Sequence, residues 1–245
     1  MKKNILLAGI IVVLIFSACS KSEEFKTDSI SDYAPLVVGK YITYQLDSLI
    51  FADNIIPFDR VNSYQVKHLV EDTATDNIGR KGFTIRRYIR KTLTDSWVPD
   101  NAFIAVNTGN SLEFVENNFR FLKLMEPIRN EYSWKGNSYI DTYSANSEVK
   151  YLDDWEYVYD SLNTSLTLGS ITIDSTLKVA ERDDVLGNPD DPDSYSEINF
   201  SVSNYGKGIG LIYRRFLHQE YQPPTPGTKA YKVGYGITLT LIDHN

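Results

Sequence analysis

Hydrophobic and polar residues alternate with a period of two along most of the chain. Such alternation is typical of β-strands that bury one face and expose the other. The clearest run covers residues 231–242, where one face carries Tyr231, Val233, Tyr235, Ile237, Leu239 and Leu241. Similar runs predict strands over residues 41–51, 63–71, 82–92, 102–107 and 209–221. The last two strands are expected to form a hairpin, because the proline-rich residues 223–227 between them cannot join a ladder.

Residues 111–125 fit two patterns, since their apolar side chains also fall on one face of a helix. Elsewhere the chain has no internal repeat, no sustained heptad and no rhythm of strands alternating with helices, which argues against a parallel α/β fold. The sequence therefore predicts an all-β fold with little helix. We expect an antiparallel sheet curled into a sandwich, barrel or half-barrel, because curling limits exposed edges.

The first 18 residues have the layout of an export signal. Lys2 and Lys3 precede an apolar run over residues 5–16, and the small residues Ser17 and Ala18 follow it. The run is shorter than the roughly 20 residues that a transmembrane helix needs. A cleaved signal peptide over residues 1–18 is therefore predicted.

The only cysteine of the chain, Cys19, comes directly after this signal. Residues 16–19, Phe-Ser-Ala-Cys, resemble a bacterial lipobox, with phenylalanine in place of the usual leucine. The resemblance implies that Cys19 is the lipidated first residue of the mature protein and anchors it to a membrane. A free thiol or an intermolecular disulfide is the alternative. We expect residues 19–32 to be a flexible tether and residues 33–245 to be a single β-rich domain.

Two further stretches carry a family resemblance. Residues 20–24, Ser-Lys-Ser-Glu-Glu, resemble the export tag of Bacteroidota surface lipoproteins, although they also fit a simple solvated tether. Residues 32–41 and 205–213 resemble the opening and closing phrases, YxPLxxGxYxxY and YxKGIGLIY, of uncharacterised Bacteroidota outer-membrane lipoproteins. This resemblance implies an outer-membrane location and a β-rich fold. It implies no activity. The export-tag resemblance implies display on the cell surface.

The charge of the chain limits its expected partners, and its cysteine content limits how the fold can be stabilised. The formal net charge is −7, and this acidic balance argues against nucleic acid or anionic headgroups as the main partner, because these need a clustered basic surface. With one cysteine, no disulfide can form within the chain, so stability has to come from packing.

One aromatic stretch is a candidate binding site. Its side chains alternate as on one strand face: Tyr151, Trp155, Tyr157 and Tyr159. If this stripe is exposed, it can stack on sugar rings or anchor a protein partner. If it is buried, it is part of the core.

Motifs for catalysis are weak or absent. The glycine-rich residues 206–210 are followed by a strand pattern, which favours a bend over a phosphate loop. The acidic residues 181–197 favour a solvated loop over a calcium site. His68, His218 and His244 lack ligand spacing, and no Gly-x-Ser-x-Gly motif occurs. We expect no catalytic residues, no metal site and no cofactor.

Five Asp-Ser or Asp-Thr triplets resemble the O-glycosylation triplet of Bacteroidota. The resemblance implies modification of Ser29, Ser48, Thr73, Ser161 and Ser175. The alternative is turn chemistry, since aspartate followed by a hydroxyl residue is common at strand ends.

These observations lead to a hypothesis and two rivals. The leading hypothesis is a non-catalytic, lipid-anchored lipoprotein of the cell envelope that binds a glycan or an envelope protein through the aromatic stripe. The first rival is a periplasm-facing carrier of a lipid or hydrophobic ligand, in which the curled sheet encloses an apolar cavity. The weaker rival is a hydrolase with two catalytic carboxylates, a pair that the sequence alone does not identify.

Overall fold

Antiparallel strands follow one another around one sheet in the computed structural model, which describes residues 28–52, 58–76 and 78–245. Twelve strands lie within these ranges: β1 (Tyr41–Ile50), β2 (Arg60–Thr75), β3 (Lys81–Arg90), β4 (Val98–Asn107), β5 (Ser111–Glu116), β6 (Phe119–Met125), β7 (Ser133–Lys135), β8 (Glu156–Leu168), β9 (Ile171–Gly187), β10 (Ser196–Gly206), β11 (Gly210–Gln222) and β12 (Tyr231–His244). The described helices are short: α1 (Ile30–Tyr33) and a 3-10 turn (Lys150–Leu152). The predicted signal peptide over 1–18, Cys19 and the tether residues up to 27 lie outside the described residues.

The sheet closes on itself almost completely. Neighbouring strands are consecutive in sequence except for β1, which pairs with β12, so that β6 and β7 are the two sheet edges. These edges meet, because Leu122 N donates to Gly136 O at 2.8 Å and Trp134 Nε1 donates to Leu122 O at 2.8 Å. The predicted all-β antiparallel fold is confirmed, in its barrel form.

The ambiguous residues 111–125 form the hairpin of β5 and β6 and no helix. Asn117 and Asn118 form its turn with φ of 50° and 65°. Two successive residues with positive φ are typical of hairpin turns whose twist matches that of the strands, and asparagine tolerates this conformation. The turn therefore decides between the two patterns.

The upper end of the barrel, where β1 begins, is closed by residues 28–36, which we name the plug. Ile30 and Tyr33 pack in one buried cluster with Tyr205, and Leu36 packs against the cluster that contains Val70 on the other side of the barrel. Gly208 N donates to Asp32 O at 2.6 Å and ties the plug to the β10–β11 turn. Residues 28–32, which the sequence assigns to the tether, therefore belong to the domain, because Ile30 is buried.

The glycine-rich residues 206–210 form the β10–β11 turn, as the bend interpretation predicts. Gly208 and Gly210 have φ of 76° and 117°, a region that favours glycine. Lys207 pairs with Asp28 of the plug.

The lower end, where β1 finishes, is covered by residues 136–155, which we name the lower cover. Trp155 stacks on Phe216 with ring centroids 6.0 Å apart, and Tyr151 stacks on His218 at 3.8 Å. Both ends of the barrel therefore carry a segment that packs against inward-facing strand residues. Within the described ranges, no helix is long and apolar enough to cross a membrane.

Candidate functional site

The upper half of the barrel encloses a cavity of about 330 Å³, which we name the upper cavity. Inward-facing positions of the strands supply its wall, because alternate residues of each strand point to the same side of the sheet. Apolar members of the wall come from the plug and from six strands, and they include Leu36, Ile42, Tyr44, Leu46, Val70, Ile85, Phe103, Ala105, Leu112, Phe114, Ile237 and Leu239. Its volume lies within the range of small-molecule sites.

A second cavity, of about 240 Å³, lies between the middle of the barrel and the lower cover. We name it the lower cavity. Its wall carries seven aromatic side chains: Phe119, Phe121, Tyr151, Trp155, Tyr157, Phe216 and Tyr235. The two halves of the interior therefore differ in chemistry, with more aliphatic side chains above and more aromatic ones below.

Charged and polar side chains separate the two halves. We name this group the polar layer: His68, Arg87, Glu116, Lys123, Glu181 and Arg214. Four of its members line both cavities, namely Arg87, Glu116, Lys123 and Arg214. Two ion pairs organise it, since Arg214 Nη1 lies 3.1 Å from Glu116 Oε2 and Lys123 Nζ lies 3.3 Å from Glu181 Oε1.

Glu181 is the most completely bonded member of the polar layer. Its carboxylate accepts hydrogen bonds from the hydroxyls of Ser201 at 2.6 Å and Ser203 at 2.8 Å, in addition to the contact with Lys123. Burial alone would raise the pKa of Glu181, but Lys123, Arg214 and these hydroxyls together hold it below its ordinary value. Burial lowers the pKa of Lys123. Glu181 is therefore ionised at neutral pH.

Two atoms of the polar layer are buried and have no hydrogen-bond partner among the described residues: His68 Nε2 and Arg214 Nε. The imidazole of His68 lies between the rings of Tyr44 and Phe103, at centroid distances of 5.0 and 5.2 Å. Burial, more than any neighbouring charge, lowers the pKa of His68 to about 3, so the ring is neutral near pH 7. Arg214 carries a permanent charge.

The aromatic stretch predicted as a binding stripe lies inside the barrel. The expectation of one strand face is wrong for Tyr151 and Trp155, because β8 begins only at Glu156. Trp155, Tyr157 and Tyr159 are 2%, 1% and 0% exposed, and Tyr151 is partly buried. Tyr151, Trp155 and Tyr157 line the lower cavity, whereas Tyr159 packs on Trp134 at 4.7 Å. An outward-facing platform for a glycan or a protein is not formed by these four residues.

The predicted glycosylation residues differ in exposure. Ser29 and Thr73 are exposed, Ser161 and Ser175 are half-buried, and Ser48 lines the upper cavity. Ser29 also caps α1, since its hydroxyl and its backbone N–H donate to Asp32 at 3.0 and 2.8 Å. Modification of Ser48 is therefore sterically opposed, while the exposed sites stay predictions.

The acidic stretch 181–197 spans the end of β9 and the turn into β10. Asp191 accepts hydrogen bonds from Asp193 N at 3.0 Å and Ser194 Oγ at 2.8 Å, which is local turn chemistry. No group of three carboxylate, imidazole or thiol side chains that could hold a metal ion occurs within the described ranges. His68 and His218 point into the interior, and His244 ends β12.

The polar layer was missed by the search for motifs. One signal for it was present, because His68 shares the buried face of its strand pattern with Val66 and Val70. Arg214 likewise sits two positions before Phe216 on the inward face of β11. A charged or titratable residue in a row of buried positions is costly unless it is paired, so it marks a polar site within the core.

Comparisons with protein-family models, with curated proteins and with solved structures found no match to this chain. The class that the geometry itself defines is a nearly closed antiparallel barrel with a plug, a lower cover and interior cavities that meet at a polar layer.

Proposed function

We propose that this protein is a lipid-anchored envelope protein that binds a hydrophobic or amphipathic small molecule inside its barrel, in the manner of a carrier. The observation that carries the proposal is the upper cavity of about 330 Å³ with its predominantly apolar wall. Protein interiors are close-packed, and voids much larger than a water molecule are few. A cavity of this size that is framed by most strands of the barrel is therefore better explained as a site than as a packing defect.

The inward face of β12 supports a route of entry. Tyr231, Val233 and Tyr235 are 47%, 47% and 45% exposed, whereas Leu239 and Leu241 on the same face are 6% and 1% exposed. The inner wall therefore becomes solvent-accessible toward the lower end. A ligand is expected to enter there, past the lower cover, because Ile30, Tyr33 and Ala34 of the plug are packed into the upper end.

The rival role, recognition of a glycan or an envelope protein at an exposed aromatic stripe, has less support. Its residues line or adjoin the lower cavity and pack against Phe216 and Trp134. The proposal of an envelope location rests on the lipobox resemblance around Cys19. The absence of catalysis is likewise an expectation from the sequence.

Filling the upper cavity tests the proposal. Ala105 is buried and lines the cavity, and Ala102 lies on the opposite, exposed face of the same strand. We expect Ala105→Phe to weaken binding of the neutral apolar probe N-phenyl-1-naphthylamine at least tenfold, since the new ring occupies the ligand volume. The matched change Ala102→Phe should leave the dissociation constant unchanged.

A milder variant protects this test against misfolding. Ser48→Leu adds volume at a half-buried position of the cavity wall, and its fold can be checked by circular dichroism. Saturable probe binding to the unmodified protein that neither Ala105→Phe nor Ser48→Leu weakens would place the probe elsewhere and overturn the proposal. The absence of any saturable binding would overturn it as well.

A further inference from the structure

The wall of the upper cavity carries more positive than negative charge, although the whole chain has a formal net charge of −7. Four cations line it, Lys40, Arg87, Lys123 and Arg214, against the single carboxylate of Glu116. The counter-ions Glu181 of Lys123 and Asp100 of Arg87 do not line this cavity. Arg87, Lys123 and Arg214 are each paired, but the cationic partner of every pair lines the cavity whereas only one of the three carboxylates does. The wall therefore offers more hydrogen-bond donors to an anion than acceptors to a cation.

The two residues that carry the unpartnered nitrogens belong to the wall of the same cavity. His68 and Arg214 both line the upper cavity, and burial, followed by the charges of Arg87 and then Arg214, lowers the pKa of His68. An arginine N–H can only donate a hydrogen bond, and a neutral imidazole can donate one as well. Unsatisfied buried donors cost free energy, which a ligand that brings oxygen acceptors recovers. A group with two or more oxygens fits this position.

The rest of the wall excludes a wholly polar ligand. Above the polar layer, toward the plug, the cavity is bounded by apolar side chains such as Val70, Ile85 and Phe103. An inorganic anion bound at the polar layer would leave this surface in contact with water, which is unfavourable. An apolar chain attached to the anion covers it.

We infer that the ligand of the upper cavity is an amphiphile whose anionic oxygen head group lies at His68 and Arg214 and whose apolar chain extends toward the plug. This inference rests on the proposed function and adds the chemical class of the ligand. Carboxylate and phosphate heads share the required chemistry, so the head group is identified by experiment.

A series of twelve-carbon probes that differ only in the head group tests the inference. Dodecanoate, dodecyl phosphate, dodecanol and dodecyltrimethylammonium are titrated separately against the protein loaded with N-phenyl-1-naphthylamine, below their micelle concentrations. We expect at least one anionic probe to bind ten times or more tighter than dodecanol, and the cationic probe to bind weakest. The stronger of the two anions then distinguishes a carboxylate head from a phosphate head.

Two variants locate the head group. His68→Phe keeps a ring between Tyr44 and Phe103 but removes the imidazole, and about a tenfold loss of affinity for the anionic probe is expected. The double variant Arg214→Met with Glu116→Gln removes the ion pair as a unit, so that no carboxylate is left without its partner. It should reduce the preference for the anion over dodecanol to less than threefold. Arg215→Met, at the exposed neighbouring position, is the control and should change neither value.

The outcomes separate the two levels of the proposal. Equal affinity for anionic and neutral probes would overturn the head-group inference and leave the cavity as a site for neutral apolar molecules. Anion preference that survives in both variants would move the head group away from His68 and Arg214 and overturn the assignment. Failure of all four probes to displace bound N-phenyl-1-naphthylamine would overturn the amphiphile inference, whereas the proposed function fails only if the naphthylamine itself does not bind in the upper cavity.

Discussion

Glu113 and Glu116 lie on opposite faces of β5, and each belongs to a cluster of charged residues. On one face, Arg80 donates to both carboxylate oxygens of Glu113 at 2.8 and 2.7 Å, and its Nε donates to Asp76 at 2.7 Å. Arg120 also contacts Glu113. In this outer cluster, the arginines and the carboxylates form hydrogen bonds and ion pairs with one another.

The polar layer on the other face is organised differently. Glu116 pairs with Arg214, yet Arg214 Nε and His68 Nε2 have no partner within the described part of the chain. The arginines of the outer cluster are also partly exposed, so water can reach them, whereas the polar layer adjoins cavities inside the barrel. A charged cluster that satisfies itself stabilises a surface, while one that keeps donors free beside a cavity is suited to bind.

The largest effect is expected from breaking the ion pair of Lys123. Glu181→Ala leaves Lys123 without its counter-ion and removes the acceptor of Ser201 and Ser203, which should lower the free energy of unfolding by about 3–5 kcal/mol. Urea denaturation measures it. A loss below about 1 kcal/mol would mean that the polar layer contributes little to stability and that the contrast with the outer cluster is wrong.

The second-largest loss of stability is expected at the lower end, from the removal of an uncharged side chain. Trp155→Ala removes a buried ring that stacks on Phe216 and should cost about 3 kcal/mol in the free energy of unfolding. The walls of the neighbouring lower cavity can relax, which keeps the cost at the low end of the usual range. Thermal unfolding followed by near-ultraviolet circular dichroism reports it; an unchanged midpoint would show that the ring is a free surface group.

The third prediction concerns the part of the pH dependence of the free energy of unfolding that is due to His68. The pKa of His68 is about 3 in the folded protein against an ordinary 6.5, so the unfolded chain binds the extra proton as the pH falls below 6.5. Stability due to the neutral ring is therefore complete above pH 6.5 and is lost toward pH 3. Between pH 7 and 5 the unmodified protein should lose about 2 kcal/mol more than His68→Phe.

Urea titrations of both proteins at pH 7, 6 and 5 measure this difference. His218, whose pKa burial also lowers, and the paired carboxylates titrate in both proteins, so their contributions cancel in the comparison. Parallel pH profiles for the two proteins would show that His68 is not held neutral by the interior.

The smallest effect is expected in the outer cluster. Arg80→Met removes an arginine whose side chain is 31% exposed, and Arg120 still contacts Glu113. The Asp76 and Glu113 side chains are only 5% and 3% exposed, but water reaches the arginine side of both pairs. The free energy of unfolding should therefore fall by about 1 kcal/mol, and part of this loss should disappear in 1 M salt. A loss as large as that of Glu181→Ala would remove the distinction between the two clusters.

The fold was largely accessible to sequence reasoning, whereas the site was not. The period-two row from Tyr231 to Leu241 specifies both the strand and its inward face, because alternation is a local property of the chain. The pairing of Arg214 with Glu116 joins residues 98 positions apart, and that of Lys123 with Glu181 joins residues 58 apart. Such pairs follow from strand order, which no local pattern contains.

The aromatic stretch shows how a period of two can mislead. Tyr151 and Trp155 have the spacing of a strand face, but a 3-10 turn over Lys150–Leu152 and the positive φ of 55° at Asp154 interrupt the backbone before β8 begins. Their side chains still reach the interior because the lower cover folds back onto Phe216 and His218. The spacing thus grouped residues that do lie in the interior, but they do not share one strand face.

The pairing of β1 with β12 sets the order of events during folding. Every other strand pair joins consecutive strands, and apart from β7 and β8, which the lower cover connects, the loops between them are short, so these contacts form early. The seam joins the two ends of the domain, where Tyr41 N donates to Asn245 Oδ1 across 204 positions. The last strand must therefore emerge before the first can find its second neighbour, so the seam is expected to be the final and slowest step of assembly. Until then β1 presents an unpaired edge, which makes the incomplete chain vulnerable to aggregation.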